Sequence, residues 1–254
     1  MVGDCEAAVG GFSRDTQSAP PSGPEATRCA TLPNVSRRRF DLTVFDLDGT
    51  LIDSKRDLAE SVNATRAYAG LPPLAPETVY SYVGNGAPVL IRRAMGPDYS
   101  EEEIGGFLEF FIRYYHDHCL DHTALYPGMR DCLEQLRAAD VQLAVLTNKP
   151  VRISQAIVDG LGLGAYFFRV YGGNSFASKK PDPEGLLKLV MEADVPLDRV
   201  LMVGDSSVDI HTAVNAGVAS LGVTYGLQPE TLRFPTPTFL VDSPAGIPPI
   251  VRGA

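Results

Sequence analysis

The sequence lacks long apolar runs, paired cysteines and any basic stripe, and each absence narrows its class. No apolar stretch approaches the ~20 residues that cross a bilayer as a helix, so a soluble chain acting away from membranes is expected. The four cysteines, Cys5, Cys29, Cys119 and Cys132, form no C-x-x-C pair and have no disulfide-type spacing, which points to a reducing cytoplasm. Net charge is −9 and the basic residues are scattered, which argues against nucleic acid as a partner. Residues 1–39 also lack apolar periodicity and the apolar centre of a secretory signal. Rich in Gly, Ser, Pro, Thr and Ala, they are expected to form a disordered extension. Asp4, Glu6 and Asp15 argue against a transit peptide, and Arg37-Arg38-Arg39 reads as the solvated flank of a first strand.

What is present is the pattern of an ordinary core-forming protein. Over 254 residues, 44% are apolar and 21% charged, enough for one α/β domain with an insert. Strand and helix signals alternate beyond residue 40, with strands expected at 41–46, 141–146, 167–171, 200–204 and 219–223, and a short one near 238–241. Helices are expected between them at 129–139, 151–159, 183–193 and 208–216. This is a doubly wound parallel sheet. The first two strands are nearly a hundred residues apart, far beyond a single crossover, so something is inserted there. Its pattern is helical at 55–69, 76–83, 87–95 and 100–120, with Ser100 and Glu103 spaced as a capping box. The expected division is a core of 40–54 and 126–254 and an α-helical cap domain of 55–125, hinged near 54 and 126.

The chemistry concentrates where strands end. Asp46-Leu47-Asp48-Gly49-Thr50 follows the apolar run Leu42–Phe45, and two acids there carry desolvation and repulsion unless a cation joins them. Thr147-Asn148-Lys149-Pro150 leaves a second strand; Lys179-Lys180-Pro181 precedes a helix; Gly204-Asp205-Ser206-Ser207-Val208-Asp209 turns from strand to helix. Each is ordinary alone, as a strand exit, a solvated lysine or a helix cap. Together they make a device for cancelling phosphate charge. Asp46 and Asp205, with a nearby backbone carbonyl, offer hard oxygens to Mg²⁺, while Lys180, Thr147 and Asn148 face the phosphoryl oxygens. Asp46 can then attack phosphorus to form an aspartyl-phosphate, and Asp48 can move the proton.

In order, DLDGT, TNK, KP and GDSSVD resemble the four signature motifs of the haloacid dehalogenase-like hydrolase superfamily, from about residue 40 to the end. Within it the chain is similar to the phosphoglycolate phosphatase group, which carries a helical cap after the first motif. The resemblance implies a Rossmann-like core with Asp46 as nucleophile, Asp48 as acid/base, and Thr147 and Lys180 as phosphate contacts. It further implies that Asp205 and the Asp48 carbonyl hold Mg²⁺, while Asp209 orients metal-bound water or Lys180. The expected activity is hydrolysis of a small phosphomonoester, with 2-phosphoglycolate the leading substrate. Sugar phosphates, nucleotides, pyrophosphate, a phosphoglucomutase reaction and a noncatalytic binding protein are the alternatives. A monomer or homodimer in the cytoplasm is expected.

The Val83-Gly84-Asn85-Gly86 turn is also similar to that group. Its amides at Gly84, Asn85 and Gly86, or Arg93 on the following helix, can meet a substrate carboxylate; a plain helix–helix turn is the other reading. His116, His118, His122 and Cys119 have metal-binding residue types but no ligand spacing, with His118 and His122 expected on one helical face. Phe107, Phe110, Phe111, Tyr114 and Tyr115 read as cap core, and Cys132 as buried on an apolar helix stripe.

Overall fold

A computed structural model describes residues 39–253; the extension expected at 1–39 lies outside the described residues but for Arg39. In chain order the strands are β1 (Leu42–Phe45), β2 (Ile52–Asp53), β3 (Ala124–Leu125), β4 (Gln142–Leu146), β5 (Arg169–Tyr171), β6 (Val200–Gly204), β7 (Ala219–Val223) and β8 (Phe239–Val241). The helices are α1 (Lys55–Tyr68), α2 (Pro76–Tyr80), α3 (Ala87–Met95), α4 (Glu101–His118), α5 (Met129–Ala138), α6 (Val151–Gly160), α7 (Glu184–Ala193), α8 (Ser207–Ala216) and α9 (Ile247–Arg252).

Six strands form one parallel sheet in the order β5-β4-β1-β6-β7-β8, the doubly wound arrangement expected. Side chains on successive strand residues go to opposite faces. Leu42, Val44, Ala144, Leu146, Val200 and Met202 pack against α7 and α8 through Leu186, Leu189 and Ala213. Phe45, Leu143, Val145, Leu201 and Val203 belong to the larger core, with Leu136 of α5, Ile157 of α6 and Val251 of α9. Both faces are therefore covered, which is why these strands read as near-continuous apolar runs. The chain steps outward from β1 in both directions, through β4 to β5 and through β6 to β8. The carboxyl ends of β1, β4 and β6 consequently open onto one crevice at the point where strand order reverses.

Between β1 and β4 the chain leaves the sheet for α1 to α4. The exit and return pair as a two-residue antiparallel ribbon, Ile52 with Leu125 and Asp53 with Ala124, too short for a sequence signal. Asp57 in the first turn of α1 is buried and accepts hydrogen bonds from the backbone N–H groups of His122 and Thr123 (3.0 and 2.8 Å) and from the Thr123 hydroxyl (2.7 Å). Burial pushes its carboxyl up, and these donors more than offset that, leaving it below the ordinary value.

Two elements differ from the sequence expectation. The helix expected to reach residue 83 ends at Tyr80, because Tyr82 and Val83 close back on Val79 and Tyr80 in tight three-residue turns ahead of Gly84. The irregular end expected after 241 contains α9, whose Ile247 and Val251 fill the core beside α5. Ser100 and Glu103 form the capping box that starts α4.

Candidate active site

Asp46 stands one residue past β1, its N–H bonded to the Val203 carbonyl (2.9 Å), so the ladder itself aims it into the crevice. The chain then tightens at once: Thr50, Leu51 and Ile52 N–H groups return to the Leu47 carbonyl, and Gly49 adopts φ +82°. A Cβ on Gly49 would lie 2.2 Å from Asp205 Oδ2, so glycine is needed for both conformation and approach. Asp205 is held by N–H groups of Leu227 (2.6 Å) and Gln228 (3.2 Å), both on the loop after β7.

The two acids of the first motif face different cations. Lys180 Nζ lies 2.8 Å from Asp46 Oδ1 and 2.6 Å from Asp209 Oδ1. The Asp46 pair is an ion pair without hydrogen-bond alignment, so this buried oxygen has no directed donor. Asp48 instead takes Lys149 Nζ at 2.8 and 3.0 Å and the Ser54 hydroxyl at 2.5 Å. Burial is the main cause that lifts the Asp46 carboxyl to about 6, Lys180 opposing it and the Asp209 and Asp48 charges adding to it. Burial and the charges of Asp209 and Asp46 lift Asp205 well above the carboxylate range. Burial would lower Lys180, yet Asp209 and Asp46 raise it.

One oxygen from each of Asp46, Asp205 and Asp209 falls within 4.8 Å of the others. Asp209 is already engaged by Lys180 and, at 3.1 and 2.8 Å, by the N–H and hydroxyl of Ser206 in the capping box of α8. It supports the site. Asp46, with an undirected buried oxygen, and Asp205, with one oxygen unbonded among the described residues, are hard donors whose mutual repulsion a divalent cation would relieve. The residues fit such an ion.

The remaining motif residues sort unevenly. Thr147 is buried at the end of β4, and its oxygen accepts the Lys149 N–H (3.3 Å), leaving its hydroxyl hydrogen to donate. Asn148 departs from expectation: its side-chain nitrogen gives both hydrogens to protein, to the Gly84 carbonyl (3.0 Å) and the Lys180 carbonyl (2.9 Å). Its backbone N–H, without an acceptor among the described residues, is the donor that remains for a ligand, and its buried side-chain oxygen is also unpartnered.

The helical segment roofs this crevice with Leu58, Val83, Gly84, Leu90, Phe111 and Tyr115. Gly84 and Gly86 line the pocket, whereas the Asn85 carbonyl is turned to Lys179 Nζ (2.8 Å). Arg93 is exposed and does not line it, and α3 turns Leu90 and Ala87 inward instead. Phe111 and Tyr115 are core and pocket wall at once, while Phe110 and Tyr114 stack outward with Tyr68 and His118. His122 lies past the end of α4, so it shares no helical face with His118; it pairs with Asp57 (2.9 Å), and His118 with Asp121 (2.7 Å). Cys132 is buried, as expected.

Lys149, Ser54, Tyr115 and Gln228 are site residues that sequence reasoning passed over. Lys149 had one signal, a basic residue between a buried strand and a helix-opening proline. Tyr115 and Gln228 had none, because their partners are remote in sequence, and Ser54 had none although Asp48 lies only six residues before it.

Comparison with known proteins covers the same region. The family model for the haloacid dehalogenase-like hydrolases matches residues 43–223. A protein of Chromobacterium violaceum named phosphoglycolate phosphatase is 41% identical over 193 residues, 74% of this chain and 87% of its own. One of Vibrio parahaemolyticus with the same name is 40% identical over 218 residues, 82% of this chain and 95% of its own. A crystal structure from Haemophilus somnus, described as a predicted phosphoglycolate phosphatase, superposes with TM-score 0.78 at 34% identity, covering 83% of this chain and 97% of that one.

Proposed function

Because the chain belongs to the haloacid dehalogenase-like hydrolase family, we propose that it is a Mg²⁺-dependent phosphomonoesterase acting on 2-phosphoglycolate, the substrate in its relatives' names. The observation that carries the reading is the division of cations: Lys180 beside Asp46, and Lys149 on Asp48. Mg²⁺ held by Asp46, Asp205 and the Asp48 carbonyl would neutralise charge on the phosphoryl group. Asp46 attacks phosphorus, the ester P–O bond breaks, and Asp48 gives its proton to the leaving oxygen. Water then attacks the aspartyl-phosphate, Asp48 takes back the water's proton, and phosphate leaves with Asp46 restored. The Thr147 hydroxyl and the Asn148 backbone N–H donate to phosphoryl oxygens, and Lys180 holds positive charge beside them.

Residues 55–125 serve as the cap over a core of 40–54 and 126–254. The N–H groups of Gly84, Asn85 and Gly86, backed by the amino terminus of α3, are the donors assigned to the substrate carboxylate. The enzyme is taken to work in the cytoplasm, as monomer or homodimer, on this small metabolite. A kcat/KM panel over phosphoglycolate, sugar phosphates, nucleotides and pyrophosphate tests the substrate, and the highest value is expected for phosphoglycolate. Asp46→Asn is expected to abolish Mg²⁺-dependent hydrolysis of every ester in it. Full activity in that variant would sink the mechanism, and a preference for another ester would move the substrate.

A further inference from the structure

Lys149 is only 6% exposed, and a buried ammonium is costly unless fully paired. Its three hydrogens have three acceptors: both oxygens of Asp48, at 2.8 and 3.0 Å, and the hydroxyl of Tyr115. The Tyr115 ring also lies beneath the ammonium, its centroid 4.4 Å from Nζ. Lys149 comes from the loop after β4, in the core, and Tyr115 from α4, in the helical insertion. Ser54, at the head of α1, donates its hydroxyl to Oδ1 of Asp48, the oxygen that Lys149 also reaches. Asp48 is therefore held directly by Lys149 and Ser54, and the insertion reaches it through Tyr115 on Lys149, while Lys180 is committed to Asp46 and Asp209.

An acid/base must stay within hydrogen-bond reach of the atom it serves, and a free aspartate side chain rotates away from it. We propose that Lys149 is the positioning residue for Asp48, and that Tyr115 supplies its third acceptor only while α4 lies against the core. Docking of the insertion thus completes the acid/base. A lysine without Tyr115 keeps its attraction to Asp48 but loses a fixed direction. The inference rests on the phosphatase reading above and adds to it a residue that binds no phosphate.

Lys149→Met, Tyr115→Phe and Asp48→Asn, each alone and the first two combined with the third, separate the possibilities in the full-length protein. With phosphoglycolate, Lys149→Met is expected to lower kcat about 30-fold, the scale of a lost charged hydrogen bond, with KM held within about threefold. Tyr115→Phe is expected to lower kcat about fivefold in the same sense, and Lys149→Arg to restore part of the loss. In Asp48→Asn, adding Lys149→Met is expected to change nothing further in the rate of phospho-Asp46 formation from p-nitrophenyl phosphate. A raised KM with kcat intact would make Lys149 a substrate ligand, and additive losses would show action independent of Asp48; either overturns the proposal. Should Lys149→Met melt early, Tyr115→Phe decides, since it removes one oxygen. A wild-type protein inactive on every ester instead rejects the phosphatase reading itself.

Discussion

Asp46 and Asp48 are the same residue type, two positions apart, and their neighbours make them different groups. Asp46 sits in the ladder of β1 beside Lys180, with one oxygen lacking a directed donor. Asp48 carries three hydrogen bonds from Lys149 and Ser54. Burial lifts the folded Asp46 carboxyl from 3.8 to about 6, so folding takes up a proton between those values. In the metal-free protein this group therefore destabilises the fold at neutral pH and ceases to do so as pH falls. Mg²⁺ needs the ionised form, so its binding weakens as pH drops through about 6. The rise in melting temperature on adding Mg²⁺ is expected to be clearly smaller at pH 5 than at pH 7.5, measured by calorimetry at fixed metal concentration. An equal rise at both would place the ion elsewhere.

Elements were legible where a local rule governs them. The Ser100–Glu103 capping box starts α4, and Gly217, at φ +71°, ends α8 as a left-handed cap. The segment after α2 follows no such rule, because three core side chains hold it. The Val83, Gly84 and Asn85 carbonyls accept hydrogen bonds from Gln228 (2.8 Å), Asn148 (3.0 Å) and Lys179 (2.8 Å), one from each of three separate loops. Consecutive peptide groups are thereby turned to the core, which fixes the turn after α2 and seats Gly84 and Gly86 at the pocket. Each such bond contributes about 1 kcal/mol to holding this turn on the core. Gln228→Leu is expected to raise KM for phosphoglycolate about fivefold, to leave kcat nearly unchanged, and to speed hydrogen exchange across residues 80–87. Unchanged exchange would mean the turn keeps its place without Gln228.

At the scale of the whole molecule, the insertion is joined to the sheet by two chain crossings, and Asp57 fastens one to the other through His122 and Thr123. Its folded carboxyl lies below 3.8, so its stabilisation is present above that pH and is lost as pH falls through the folded value. Asp57→Asn is expected to lower stability by about 2 kcal/mol at pH 7, with the deficit shrinking below pH 3.8 in denaturant melts; a pH-independent deficit would assign the loss to packing. The doubly wound sheet, the helical insertion and the four motif clusters were readable from residue order, because strand and helix periods are local and each cluster marks a strand exit or a helix start. The pairing of Lys149 with Asp48 and Tyr115 joins positions 101 and 34 residues apart, and nothing local distinguishes a lysine bound for solvent from one bound for a buried acid. Arg93 differs: it lies off the apolar stripe of Ala87, Leu90, Ile91, Ala94 and Met95 that α3 buries, and so it faces outward. Motif chemistry is written in sequence because it needs residue types at short spacing. Which side chain reaches which partner was decided by tertiary structure, since burial and charge pairing act through space and not along the chain.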